Sequence, residues 1–342
     1  MVVVFAAGRP LWGAGEVAWS ASLQGGSDAA SWVMPPGLPP LRPRTRIEVR
    51  DGAETLWSGV LSDADADGGG RTAGGWQHEL RRWPALGSSG APNGAPPPAI
   101  DRAIADGIGL AGHTLPATGT VEPPPDKGAH WIGYLLDAWA ADEDYFWRVD
   151  HDRTVRHFAI PSLSGAPDVE VRLPQLRLGW TRDGGQNRLL VSWTVDGSTA
   201  SVLEVTDTAA VEAFGPRWGM VDLNPRGSLT EAQAQARATR HLARPIFTEK
   251  LSLSASQIRR PGGASVSVYQ VRPGMVARLW VSDDTGVLTR PYLDVVIERC
   301  EWRDCSGVVD VTPVGARSRL ARDVVRDLLR QGMNVGKYEK NK

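Results

Sequence analysis

The stretch that most restricts the fold is residues 41–60, LRPRTRIEVRDGAETLWSGV. Ile47 and Val49 alternate with charged residues, and an Asp51-Gly52 pair follows them. Alternation with a period of two, interrupted by Asp-Gly and then resumed, is typical of two antiparallel strands joined by a tight turn. The sequence therefore predicts a β-hairpin here, and with it an antiparallel sheet.

A weaker form of this pattern recurs at residues 271–280, VRPGMVARLW. Pro43 and Pro273 each precede a predicted strand, and proline favours a turn at such a position. Ala277 and Leu279 then alternate as the apolar residues of the first hairpin do. Both stretches are expected to point these apolar residues inward.

Strand patterns of this kind recur along most of the chain. At 342 residues the chain is too long for one core and suits two or three domains. Its composition, 42% hydrophobic and 23% charged, is that of an ordinary globular protein. The chain has fourteen Trp but only five Tyr and five Phe. We predict that the Trp side chains pack in sheet cores and in interfaces between subunits. The predicted fold class is mainly β with α+β insertions.

Helical patterns interrupt the strands in four places. The stretch 87–99, rich in Pro, Gly and Ser, predicts a loop before a first helix at 100–108 and a second at 130–143. A hairpin that turns at Asp150–Asp152 completes a small mixed α/β segment. Residues 228–244 predict a helix capped by Ser228 or Thr230, the chain end predicts another, and 76–83 fits strand and helix equally.

Net charge excludes one class of function. The 38 Lys and Arg nearly cancel the 39 Asp and Glu, leaving a formal charge of -1. A whole-surface attraction to nucleic acid or anionic membrane is therefore not expected. We also expect no targeting segment and no membrane span, because no apolar run approaches the roughly 20 residues that a bilayer needs.

Two acidic clusters resemble metal sites only in part. Asp63, Asp65, Asp67 and Gly68 match the start of a calcium loop, but its twelfth position is Gly74, where a carboxylate is required. An exposed acidic turn is the favoured interpretation, with a weak cation site of another type as the alternative. The second cluster comprises Asp150, His151, Asp152 and His157. It falls at a hairpin turn, where Asp commonly makes local hydrogen bonds.

No catalytic signature stands out. The chain has no nucleophile elbow, no zinc-protease helix, no phosphate-binding glycine loop and no dinucleotide fingerprint after a strand. We therefore predict that the protein is not an enzyme and holds no cofactor or metal. Cys300 and Cys305 are expected to be free thiols, with a disulfide across this short hairpin as the alternative. Either fits assembly in a reducing cytoplasm.

The last 27 residues, 316–342, differ from the rest. They hold eight basic and three acidic residues, and the apolar side chains recur every four positions. This pattern predicts an amphipathic helix that docks on a partner, or a solvated end without function. The predicted docking residues are Leu320, Val324, Leu328, Arg322, Arg326 and Arg330.

The order of these features resembles that of phage tail hub proteins. The N-terminal portion of that family is similar to SDAASWVMPPGLPPLRPRTRIEVRDGAETLWSGVLSDADADGGGRTAGG. Its inserted α/β domain resembles AIDRAIADGIGL followed by YLLDAWAADEDYFWRVDHDRTVRHFAI. Its second half is similar to NRLLVSW, SLTEAQAQARATRHLARP and VRPGMVARLWV. The resemblance covers residues 20 to about 315.

The resemblance implies two related β-barrel domains, a small mixed α/β domain and a C-terminal helical tail. The implied divisions are a first barrel at 1–86, an inserted α/β domain at 87–172, linking strands and a helix at 173–250, a second barrel at 251–315 and the tail at 316–342. It further implies a homotrimer whose six barrels adapt a six-fold tail tube to a three-fold tip around a DNA channel.

The implied partners are a distal tail protein and the tail tube above, and tip, fibre or tape-measure proteins below. Genomic DNA would pass through without specific binding, within a virion assembled in the bacterial cytoplasm. The Ala, Gly and Arg bias indicates a GC-rich genome, as in phages of actinobacteria. The alternatives are a hexameric distal-tail or receptor-binding protein with a carbohydrate-binding module and a cell-wall hydrolase.

Overall fold

The computed structural model describes sixteen stretches of the chain, and the account below concerns these residues. They are 2–34, 37, 41–63, 69–86, 96–115, 131–143, 145–159, 165–172, 186–195, 199–208, 211, 216–223, 229–242, 251–280, 292–304 and 306–313. In these stretches no helix has the length and apolar character needed to cross a membrane.

The N-terminal strands form one antiparallel series. They are β1 (Val2–Ala6), β2 (Arg9–Pro10), β3 (Gly15–Ser22), β4 (Gly25–Val33), β5 (Arg46–Asp51), β6 (Glu54–Asp63) and β7 (Gly70–Gly75). Their order across the sheet is β3-β4-β7-β6-β5-β1-β2. The predicted hairpin is confirmed, because β5 and β6 pair from Arg46 with Val60 to Asp51 with Glu54. Gly52, with φ 58°, supplies the left-handed turn.

A second series of strands continues the same sheet. Its members are β11 (Val169–Arg172), β15 (Leu251–Ser254), β16 (Ile258–Arg259), β17 (Val276–Trp280), β18 (Tyr292–Arg303) and β19 (Val308–Pro313). The first half of β18 pairs with β17, and its second half lies between β19 and β3. One long strand therefore joins both series.

With three further strands of the α/β unit described below, this sheet has sixteen strands, and its main pairing path runs from β16 to β2. Within the described residues the two ends of the path do not pair with each other, so no closed barrel is present there. The mainly β class is confirmed, whereas two separate barrels stay a prediction. One apolar cluster draws on both series, with Trp19 and Trp302 stacked at 5.9 Å between ring centroids.

The two similar stretches of sequence contact each other. Ile47, Val49, Ala277 and Leu279 are all buried in this shared cluster, as predicted. A short 3-10 helix, Val268–Gln270, precedes the second stretch and is capped by a serine side chain. The two stretches therefore share one core.

A mixed α/β unit covers the outer face of the N-terminal strands. It contains α1 (Trp76–Leu80), α2 (Pro96–Ala105), β8 (Gly112–His113), α3 (Ile132–Glu143), β9 (Tyr145–Val149) and β10 (Thr154–Ala159). The helix at 130–143 and the hairpin turning at 150–152 are confirmed. The stretch 76–83, which fitted both patterns, begins as a helix.

One boundary in this unit was wrong. The loop predicted over 87–99 ends earlier, because α2 begins at Pro96 with three consecutive prolines. Proline is compatible with the first turn of a helix, where its missing N–H would have no intrahelical partner. The composition that signalled a loop here forms the start of a helix.

Two glycines allow the unit to meet the sheet. Gly25 and Gly26 begin β4, have φ of 94° and 86°, and pair with β9. A Cβ atom at Gly26 would lie 2.5 Å from the carbonyl oxygen of Val149. The close backbone approach at this junction therefore requires glycine.

Residues 186–242 contain a second α/β unit with its own sheet. The strands β12 (Arg188–Thr194), β13 (Ala200–Thr206) and β14 (Trp218–Asp222) form it in the order β13-β12-β14. Helix α4 (Glu231–Leu242) packs on one face, where Ala234 and Ala238 join a separate apolar cluster. The stretch predicted as linking strands and a helix thus has a core of its own.

Candidate interaction surfaces

The docking residues predicted at the chain end lie outside the described residues. Leu320, Val324, Leu328, Arg322, Arg326 and Arg330 all follow the last described residue, Pro313. Their role stays a prediction. Asp65, Asp67 and Gly68 also lie outside, and Asp63 ends β6.

Arginines form ion pairs with the two aspartates at the turn of the hairpin between β9 and β10. Asp150 accepts hydrogen bonds from Arg148 Nε and Arg156 Nη1, both at 2.6 Å. Asp152 pairs with Arg156 at 2.5 Å, and this bond holds the pKa of Asp152 down at about 2. The same pairing raises the pKa of Arg156. These carboxylates stiffen the hairpin tip instead of facing an open site.

His157 of this cluster contacts an aromatic ring. Its ring lies 4.0 Å from that of Tyr145 on the paired strand. Across the described stretches, no three His, Cys, Asp or Glu side chains are grouped to hold a metal ion. Cys300 is a free thiol that is fully buried, and burial raises its pKa. Cys305 lies outside the described residues.

Two aspartates fasten the first α/β unit to the sheet. Asp28 on β4 accepts a hydrogen bond from Gln77 of α1 at 3.2 Å and pairs with Arg299 of β18 at 3.0 Å. Asp137 on α3 accepts from Gln24 at 2.9 Å and from the buried indole N–H of Trp147 at 3.0 Å. These polar contacts hold the first α/β unit against the strands of the sheet.

A partly buried arginine links the two similar stretches. Arg272 Nη2 lies 3.2 Å from Glu54 Oε1, beside the first hairpin's turn. The Arg272 guanidinium lies over the Trp302 ring at 5.6 Å, and burial lowers its pKa. Sequence reasoning missed this contact because the partners are more than 200 positions apart.

The three-stranded sheet presents the most unusual surface. Its face toward α4 is buried through Leu189, Val191 and Trp193. On the opposite face the side chains of Leu190, Val202, Trp218 and Met220 are 36%, 62%, 54% and 81% exposed. We call this the open face, and it comprises the outward side chains of β12, β13 and β14.

The polar groups of the open face contact one another. Leu190 is flanked by Glu204 on β13 and Met220 on β14, and Arg188 by Trp218. The Arg188 guanidinium lies 5.3 Å from the Trp218 ring and 3.7 Å from Glu204. The charges are thus partnered within the face, while the apolar side chains meet solvent in the described structure. The alternation in RWGMVD signals a strand but does not reveal that its outward residues are apolar and uncovered.

No family model matches the chain, and no curated protein does. Among solved structures, a 43 kDa prophage tail protein from Shewanella oneidensis matches with a TM-score of 0.62 at 14% identity, covering 92% of this chain and 97% of that one. A tail protein from Neisseria meningitidis gives 0.64 at 13% identity, covering 92% and 95%.

The chain has the fold of phage tail proteins. A prophage tail protein from Listeria monocytogenes agrees, with a TM-score of 0.55 at 10% identity and coverage of 96% and 99%. Each match extends over almost the full length of both chains. The mainly β prediction and the resemblance to tail proteins are confirmed at this level of fold.

Proposed function

We propose that the protein is a structural component of a phage tail, and within the tail its hub. The observation that carries this proposal is the full-length similarity of fold to three tail proteins from different bacteria. A fold alone does not fix a function, so the proposal also rests on the surfaces described above. They consist of partnered charges and apolar sheet faces, which suit permanent assembly.

The proposed hub is a ring of three copies around the path of the DNA. In this arrangement each copy contributes its two strand series, joined through β18, so three copies present six similar elements to the six-fold tube. The ring itself has the three-fold symmetry of the tip. Large self-complementary interfaces are needed for such a ring. A near-neutral chain suits a channel that DNA crosses without binding, because phosphate affinity comes mainly from Lys and Arg.

The proposed neighbours are a distal tail protein and the tube above, and tip, fibre or tape-measure proteins below. The docking element is the basic C-terminal stretch with Leu320, Val324, Leu328, Arg322, Arg326 and Arg330. Assembly takes place in the bacterial cytoplasm, where the buried Cys300 thiol stays reduced. We propose an actinobacterial host from the Ala, Gly and Arg bias alone.

Removing the gene from the phage genome tests the structural role. We expect particles without a functional tail tip, and supplying the protein in trans should restore infectivity. Normal tails without the protein would contradict the proposal. A second assay incubates the purified chain with peptidoglycan, where release of soluble fragments would favour a cell-wall hydrolase over a purely structural protein.

A further inference from the structure

We draw no further inference here: the strongest candidate, the open face of the three-stranded sheet, mixes exposed apolar side chains with charged ones such as Arg188 and Glu204, and nothing in the described residues shows what covers it.

Discussion

Strand β6 of the sixteen-stranded sheet and strand β12 of the three-stranded sheet differ in how they are covered. The inward side chains of β6, Trp57 and Leu61, lie in the core shared by both strand series. Its outward Val60 is buried by the first α/β unit, whose core it joins. In contrast, β12 is buried on the α4 side, while Leu190 on its other side is 36% exposed. The comparison shows that two similar apolar strands differ in burial because later parts of the chain cover both faces of β6 but only one face of β12.

The largest expected effect comes from the doubly covered region. Trp57→Ala removes a fully buried ring from the shared core and should lower the free energy of unfolding by about 4 kcal/mol. The matched control is Trp12→Ala, whose ring is 64% exposed and should change stability by less than about 0.5 kcal/mol. Denaturant unfolding measures both, and similar losses in the two variants would be inconsistent with the shared core.

The junction between the sheet and its covering unit should be nearly as sensitive. Gly26→Ala places a Cβ against the Val149 carbonyl at positive φ, so we expect a loss of about 3 kcal/mol. Gly8→Ala has similar positive φ but no atom within 4 Å, so it isolates the backbone strain, about 1 kcal/mol. Thermal unfolding distinguishes them. Equal losses would mean that the close approach of β4 and β9 is not important.

The singly covered sheet is probed through its helix. Thr230 Oγ1 accepts from the Gln233 backbone N–H at 3.3 Å, and Gln233 Oε1 accepts from the Thr230 N–H at 2.9 Å. Thr230→Ala breaks this reciprocal cap and should destabilise α4 by about 1 kcal/mol. Thr239→Ala, on the same helix, should be neutral because alanine favours helix interiors. Hydrogen exchange of α4 and β12 amides reads both, and unchanged exchange in Thr230→Ala would argue against the cap.

The smallest effect concerns pH at the tip of the β9–β10 hairpin. The folded pKa of Asp152, about 2, lies below its ordinary 3.8, so its contribution is complete above pH 4 and is lost as pH falls toward 2. Asp152→Asn should therefore cost a few tenths of a kcal/mol at neutral pH, since the group is partly exposed and screened. The difference from the unaltered protein should vanish near pH 2. A difference that persists there would contradict the ion-pair account.

Local patterns predict much of the fold and little of the surface. Alternation and turn residues identify the hairpins at 46–63 and 145–159, and a threonine cap and alanine-rich body identify α4. Each of these depends on neighbours in sequence. The sequence did not predict the start of α2 at Pro96, because proline is common both in loops and in the first turn of a helix.

Contacts between distant residues explain the rest. The bond of Arg272 to Glu54, the joining of both strand series by β18 and the separate core of residues 186–242 all require the folded chain. The open face illustrates the same limit. Its sequence predicts strands, but which of their faces another helix covers depends on the tertiary arrangement.

The measurement that tests the hub proposal most directly is cryo-electron microscopy of the intact phage tail, with this chain fitted into the density. We expect three copies in one closed ring at the tail tip, surrounding the DNA path and contacting a six-fold ring above. Six copies in one ring would identify a distal-tail protein instead. Copies placed away from the tube axis would contradict the hub altogether.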